Sequence, residues 1–245
     1  MLGFLKPVLY ILGLFLTGLG LAMLLPGLVD VAKGDSDADV FFISAAITTF
    51  IGSMFAITNR GDVSRIEPRQ AFVLTTLSWV VLTAFSALPF AFSRLGLSFA
   101  DAYFEAMSGL TTTGATVIAD LHTVPDGILV WRAVLHGIGG LGIVVMAVLI
   151  LPFLKVGGAQ LFRAESSDRS ERPFPRFAQL VTAIGGVYTA LILLCTAALW
   201  LAGMSAFDAI VHGISAVATG GFSNNNASIG AFDSQPAIST SVMTG

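Results

Sequence analysis

Two short stretches of the sequence carry residue types that suit a cation stripped of its water. SFADAYFEAMSGLTTTGAT (Ser98–Thr116) aligns with SAFDAIVHGISAVATGGFS (Ser205–Ser223) when the chain is shifted by 107 residues, and six of nineteen positions are identical. Both copies contain Thr-x-Gly near their end. Glycine leaves φ free, so carbonyl oxygens can turn toward an ion, and threonine hydroxyls supply further oxygen ligands. The pattern therefore indicates coordination of a large monovalent cation by oxygen.

The apolar stretches that lead into these motifs are too short to cross a membrane. Ser98–Leu110 and Ser205–Val217 would each rise about 18 Å as helices, whereas the hydrocarbon core of a bilayer is about 30 Å thick. The partly negative C-terminus of such a helix would face the Thr-x-Gly residues and favour a cation. One copy alone would suggest an ordinary Thr/Gly turn. Two copies in the same position after a spanning helix predict two re-entrant pore segments that line a cavity.

The longer apolar runs predict the membrane-spanning elements. The chain has 245 residues, of which 55% are hydrophobic and only 11% charged, against about 25% charged residues in a soluble domain. The N-terminal run is too long for a signal peptide and is interpreted as a retained helix. We therefore expect an all-α integral membrane protein. Its five predicted spans are Leu5–Val29, Val40–Asn59, Arg69–Phe92, Val130–Leu154 and Phe174–Ala202.

The distribution of charge predicts the orientation. With the N-terminus inside, nine basic residues lie on the cytoplasmic side and three outside, in agreement with the positive-inside rule. Both short segments then enter from the outer side, whose acidic residues either concentrate cations or are merely solvated. The polar stretch Lys155–Arg172 is expected in the cytoplasm, as a plain loop or a docking site. The nine are Lys6, Arg60, Arg65, Arg69, Lys155, Arg163, Arg169, Arg172 and Arg176, and the three are Lys33, Arg94 and Arg132.

Other residues whose types could carry chemistry are interpreted as structural. Gly137–Gly142 fits the dinucleotide pattern G-x-G-x-x-G, but no strand precedes it, so it is interpreted as a small-residue face for helix packing. The histidines His122, His136 and His212 lack metal-ligand spacing, and no set of catalytic residues is apparent. The small net charge of −3 gives no indication of a nucleic-acid partner. We expect a protein that is not an enzyme.

Two ionisable residues near the first motif need separate interpretation, because charge within a membrane is costly. Glu105 lies on the first short helix, from which it could anchor the motif through hydrogen bonds or a partner charge. Arg132 is predicted at the outer end of its helix, with its side chain reaching toward water. We expect structural roles for both residues, without direct contact with an ion.

Three strings resemble a known family. MSGLTTTGATV (Met107–Val117) resembles the first filter of the TrkH/KtrB superfamily of potassium-uptake proteins, and WRAVLHGIGGLGIVVMAVLILP (Trp131–Pro152) is similar to the helix that follows it. ATGGFSNNNASIG (Ala218–Gly230) resembles the second filter. The extra pair of helices within Leu5–Asn59 favours the TrkH branch.

The resemblance implies a fold and a function. The family folds four helix–pore loop–helix repeats around one ion path, and two subunits form a homodimer gated by a cytosolic nucleotide-binding subunit of the TrkA type. The implied activity is channel-like potassium uptake across a bacterial inner membrane, driven by membrane potential, with sodium or proton coupling left open. Potassium is the implied bound ion, without an organic cofactor and with membrane lipid around the protein. The implied filter residues are Thr112, Thr113, Gly114, Thr219, Gly220 and Gly221.

The resemblance also divides the chain. Residues 1–67 form an N-terminal helix pair, 68–154 the first repeat, 155–173 a cytoplasmic linker and 174–245 a second repeat that stops after its filter. The third and fourth repeats are absent, so the chain is interpreted as the N-terminal half of such a subunit, with association of two half-chains as the alternative. Rival functions are a secondary transporter of another solute with broken helices, and a non-conducting fragment or assembly subunit.

Overall fold

A computed structural model describes residues 2–35, 37–61, 67–150 and 173–232. Within these ranges all regular structure is helical, and five helical units are long and apolar enough to cross a membrane. This confirms the all-α membrane fold. The helices are α1 (Leu2–Ala22), α2 (Leu24–Lys33), α3 (Ala38–Thr58), α4 (Pro68–Ser86), α5 (Leu88–Phe92), α6 (Phe99–Leu110), α7 (Asp126–Ile150), α8 (Pro173–Leu201) and α9 (Ala206–Val217), with 3₁₀ turns at Leu121–Thr123 and Ser228–Phe232.

Two of the predicted spans are interrupted near a proline. The first breaks between α1 and α2 at Met23, three residues before Pro26, and the third breaks between α4 and α5 at Ala87, two residues before Pro89. Proline lacks the N–H that an α-helix needs, so the preceding turn loses a hydrogen bond. The breaks are slight, since α1–α2 and α4–α5 each remain one spanning unit, Phe4–Lys33 and Pro68–Phe92.

Glycine allows α1 and α3 to pack at backbone contact. A Cβ on Gly13 would lie 2.6 Å from the carbonyl oxygen of Gly52, and a Cβ on Gly52 would lie 2.5 Å from the backbone nitrogen of Thr17. Within lipid, helices have no hydrophobic driving force for association. Small residues stabilise such crossings because they let the backbones approach closely and make van der Waals contact. The N-terminal pair is therefore a closely packed unit against which the first repeat can rest.

The ends of the first re-entrant unit meet at the connection between α2 and α3. After α5, the Arg94 N–H donates to Asp37 Oδ2 (3.1 Å), and at the start of α7 Asp126 pairs with Lys33 (3.2 Å). The chain from 93 to 125, which contains α6, therefore leaves and returns on one side, as predicted for a re-entrant segment. Because α6 has only 12 residues, it covers about 18 Å of depth.

The second re-entrant unit returns to the same side as the first. Asn226, which follows α9, accepts a hydrogen bond from the Leu121 N–H (2.9 Å), and its amide donates to Asp120 (3.1 Å). The start of α9 is also there, with the Phe207 ring 5.8 Å from Lys33 Nζ. Both short helices therefore enter from one face, as the charge distribution predicted.

The core lies where α7 packs against α3, the end of the α4–α5 unit and α6. Trp131 is fully buried, packs edge-on against Phe41 at 6.4 Å, and donates its indole N–H to the Ser86 carbonyl (3.1 Å). That carbonyl belongs to the last residue of α4, beside the α4–α5 break. Leu110 and Leu135 continue this core toward the end of α6.

Some sequence expectations differ from the structure or lie outside the described residues. Helix α7 begins at Asp126, four residues before the predicted Val130. The predicted cytoplasmic stretch Lys155–Arg172 and the residues after Phe232 lie outside the described ranges. So do five of the basic residues used for orientation, namely Arg65, Lys155, Arg163, Arg169 and Arg172.

Candidate ion-coordinating site

The two short helices begin in the same way. The Ser98 hydroxyl accepts a hydrogen bond from the Asp101 N–H (3.2 Å) at the start of α6, and Ser205 does the same with Asp208 (3.1 Å) at the start of α9. Each hydroxyl also donates to the aspartate side chain, at 2.6 and 2.7 Å. These bonds satisfy backbone donors at both N-termini and place an acidic residue against the positive end of each helix dipole.

The two helices also end in the same way, and both ends lead into the Thr-x-Gly segments (Thr112–Gly114 and Thr219–Gly221). The Thr113 N–H donates to the Ser108 carbonyl (2.9 Å), and the Gly220 N–H donates to the Ser215 carbonyl (2.8 Å). This is the hydrogen bond that closes a Schellman turn. The structure therefore preserves the 107-residue repeat in its backbone hydrogen bonds.

Each Thr-x-Gly segment holds a threonine in the left-handed region. Thr112 has φ 54° and Thr219 has φ 55°, while the glycines Gly114 and Gly221 follow at 76° and 87°. A non-glycine residue in this region costs about 1–2 kcal/mol. Strain of this kind, repeated in both copies, is typical of functional sites, where the surrounding structure holds it in place.

The two Thr-x-Gly segments touch each other. A Cβ on Gly114 would overlap the carbonyl oxygen of Gly220, so the backbones of the two segments are in direct contact. Thr113 and Thr219 are exposed, which leaves their oxygens accessible to an ion. A cavity of about 290 Å³ lies beside the segments and is lined by Gly114 and Gly221, and by Thr116 and Ser223, which follow them in the chain. All six residues predicted from the sequence therefore lie in one place.

Glu105 anchors the chain that leaves the first Thr-x-Gly segment. Its carboxylate is fully buried and accepts hydrogen bonds from the Thr116 hydroxyl (2.9 and 3.0 Å) and from the Val117 N–H (3.0 Å). A carboxylate with several donors is strongly held because each bond is charge-assisted. The hydrogen-bonded anchor considered from the sequence is therefore present, and a partner charge completes it.

The position predicted for the Arg132 side chain was wrong. The side chain is only 2% exposed and does not reach toward water; its Nε donates to Glu105 Oε1 at 2.9 Å. Its Nη1 donates to the Ser223 carbonyl (3.1 Å), and the guanidinium lies 4.0 Å over the Phe222 ring. Because α7 starts four residues earlier than expected, Arg132 lies in its second turn, within the protein.

The second repeat has a different side chain at the position equivalent to Glu105. The 107-residue shift pairs Glu105 with His212 and Thr116 with Ser223, and the structure brings His212 Nε2 within 3.0 Å of the Ser223 hydroxyl. His212 Nδ1 donates to the Asp208 carbonyl (2.8 Å), so in the neutral ring Nε2 accepts from Ser223. Sequence analysis missed this equivalence, although the repeat alignment contains it.

His136 supports the second Thr-x-Gly segment from behind. It is fully buried on α7, with Nδ1 3.0 Å from the Ser215 hydroxyl and its ring stacked on Phe222 at 4.3 Å. A Cβ on Gly220 would overlap this ring. Gly220 therefore cannot carry a side chain here, whereas Thr113 does so at the equivalent position of the first repeat.

The glycine run of α7 is a packing face, as predicted. A Cβ on Gly139 would overlap the Leu110 carbonyl oxygen at the end of α6, and a Cβ on Gly140 would lie 2.5 Å from the Tyr188 hydroxyl of α8. The run lies inside α7, and the element that precedes this helix is the 3₁₀ turn at Leu121–Thr123. Among the described residues, no group of three or more His, Cys, Asp or Glu side chains could hold a metal ion.

Two short helices with matching ends, set among five spanning units, define a membrane protein built from pore-segment repeats. The family model for TrkH, described as a cation transport protein, matches residues 37–244. The chain therefore belongs to the TrkH family. This membership confirms the family expected from the three strings.

Individual relatives agree with this assignment. The chain is 41% identical over 233 residues to the Trk system potassium uptake protein TrkI of Halomonas elongata, covering 95% of this chain and 47% of that protein. It is 42% identical over 238 residues to TrkH of Escherichia coli, covering 96% and 49%. The crystal structure of the potassium transporter TrkH from Vibrio parahaemolyticus matches with a TM-score of 0.85 and 38% identity, covering 96% of this chain and 47% of that one. The chain thus spans about half the length of these relatives, consistent with its interpretation as half of a subunit.

Proposed function

We propose that this chain forms part of a potassium-uptake protein and supplies two segments of its selectivity filter. The filter residues are Thr112, Thr113, Gly114, Thr219, Gly220 and Gly221. One observation supports this above all: two Thr-x-Gly segments with the same strained backbone follow two helices with the same end, and they touch. Carbonyl oxygens held in this way can replace the water around a potassium ion.

Electrostatics favours a cation at this place. The C-termini of α6 and α9 both lead into the filter segments, and each carries about half a negative charge from the helix dipole. The N-termini are already capped by Ser98 and Ser205, with Asp101 and Asp208 in the first turns. A transporter that used broken helices to bind an anion would direct free N-termini at it. The arrangement therefore favours potassium uptake over the rival secondary transporter of an anionic solute.

The driving force and partners belong to the same proposal. An inside-negative membrane potential contributes about 2.3 kcal/mol per 100 mV for each ion, which supports accumulation without chemistry at the pore. The names of the relatives describe potassium uptake systems, and the protein is proposed to act in a bacterial inner membrane. A homodimer with a TrkA-type regulatory subunit, surrounded by lipid, is the proposed assembly. Residues 68–154 and 174–245 are the proposed first and second repeats.

The proposal is tested by measuring potassium uptake by the protein that the native reading frame encodes. It is expressed in a bacterial host that lacks its own potassium uptake, and growth on limiting potassium is measured together with influx of rubidium as a tracer. Wild-type protein is expected to restore growth, and influx is expected to rise with membrane potential. Gly114→Asp, which introduces a carboxylate where the filter segments touch, is expected to abolish both.

The matched control is Gly34→Asp. Gly34 has the same φ of 76° at the end of α2, with no neighbour within 4 Å of a Cβ. Normal growth with Gly114→Asp at wild-type abundance in the membrane would refute the filter assignment. Uptake of another solute, with no rubidium flux, would instead support the rival secondary transporter.

A further inference from the structure

We infer that Arg132 is a positioning residue that sets the placement of the first filter segment relative to the second. The inference rests on the proposed function. It concerns how two neighbouring filter segments keep their register when each belongs to a separate repeat.

Arg132 contacts both repeats through different edges of one planar group. Its Nε binds Glu105 (2.9 Å), which holds Thr116 and Val117 directly after the first filter segment. Its Nη1 binds the Ser223 carbonyl (3.1 Å), two residues after the second. The guanidinium is rigid, so the two sides cannot move independently while both bonds persist.

The surroundings make this link stronger than a surface ion pair. Both side chains are buried, Arg132 at 2% and Glu105 at 0% exposure. The Phe222 ring covers one face of the guanidinium at 4.0 Å and is itself stacked on His136. Buried ion pairs are costly to desolvate, and in some proteins they select one arrangement among several. Here the arrangement fixed is the contact between Gly114 and Gly220.

The second repeat cannot supply the link from its own side. At the position equivalent to Glu105 it has His212, whose ring nitrogens hydrogen-bond to the Ser223 hydroxyl and the Asp208 carbonyl. At this position only the first repeat has a carboxylate that can hold an arginine. Arg132 therefore connects the Glu105 carboxylate of the first repeat to the Ser223 carbonyl of the second. Loss of its planar guanidinium is expected to affect both filter segments.

Two variants separate positioning from simple stability. Arg132→Lys keeps the charge beside Glu105 but loses the fork, and the double variant Glu105→Gln/Arg132→Gln removes both charges, so no unpaired charge is buried. Both are made in the protein that the native reading frame encodes. The matched control is Arg94→Lys, since Arg94 also pairs with a carboxylate (3.3 Å) but is 74% exposed, and its partner is Asp37 at the connection between α2 and α3.

The first readout is the ratio of rubidium to sodium influx. We expect this ratio to fall at least fivefold in both Arg132 variants and to stay within twofold of wild type in Arg94→Lys. A ratio within twofold of wild type in both Arg132 variants would overturn the inference.

The second readout does not depend on transport. Asp120 and Asn226 are hydrogen-bonded across the two repeats (3.1 Å), so cysteines at these positions, with Cys195→Ser, report their proximity through disulfide yield. We expect the yield to fall at least threefold with Arg132→Lys. An unchanged disulfide yield would contradict the inference, whether or not the wild type transports potassium. Absence of potassium transport by the wild type would refute only the proposed function.

Discussion

A single methyl group at Gly114 tests how closely the two filter segments must approach. Gly114 and Gly34 share a φ of 76°, so alanine at either position meets the same backbone strain of about 1–2 kcal/mol. At Gly34 no atom lies within 4 Å of the added Cβ. Alanine also restricts the unfolded chain more than glycine does, which stabilises the folded protein by about 0.4–1 kcal/mol. The net cost of Gly34→Ala is therefore small.

At Gly114 the same methyl group meets the Gly220 carbonyl oxygen. Neither atom can rotate away, because the backbone fixes the position of the Cβ and the oxygen is itself a backbone atom. Overpacking of this kind costs a further 1–3 kcal/mol or so. The total is about 2–5 kcal/mol, and each 1.4 kcal/mol corresponds to about tenfold in a rate or an equilibrium. Relief by separating the two segments would displace carbonyls from the proposed ion path.

Rubidium influx, normalised to the amount of protein in the membrane, measures the difference between the two variants. We expect Gly114→Ala to reduce influx at least tenfold and Gly34→Ala to leave it within twofold of wild type. Equal influx in the two variants would show that contact between the segments is not required, and would refute the reasoning from steric overlap.

Three further perturbations have defined outcomes. Gly220→Ala is expected to reduce rubidium influx at least tenfold because its Cβ overlaps the His136 ring, whereas Gly142→Ala, with open space around it, is expected to have little effect. Asp30→Ala is expected to lower stability in detergent by about 1–3 kcal/mol, since it leaves the buried Gly127 N–H unsatisfied; an unchanged melting temperature would contradict this. Trp131→Phe is expected to lower stability by about 1 kcal/mol through loss of its bond to Ser86, a value that thermal unfolding can check against Lys33→Gln, which breaks an exposed pair.

The spans and short helices could be predicted because length and apolarity decide them. Phe99–Leu110 and Ala206–Val217 match the predicted short segments to within one residue at their starts, because Ser98 and Ser205 are caps rather than helical residues. The six residues proposed for the filter could be selected from the repeat and the family strings. None of this required knowledge of contacts between distant parts of the chain.

The interior contacts could not be predicted in the same way. Arg132 was placed toward water because its helix was expected to begin near Val130, and an arginine near a helix end commonly reaches for solvent. Its burial depends on Glu105 and Ser223, which are distant in sequence. The role of His136 likewise depends on its packing against Gly220. The sequence near His136 and the sequence near Gly220 give no indication of that contact.

The equal helix ends of α6 and α9 bear on how long a duplication stays recognisable. Six of nineteen letters agree between the copies, yet the caps, the terminal hydrogen bonds and the two positive φ values coincide throughout. Where main-chain atoms carry the task, side chains behind them can be exchanged, as carboxylate for imidazole at Glu105 and His212. In such a protein, backbone torsions preserve the evidence of a duplication after most of the residue types have diverged.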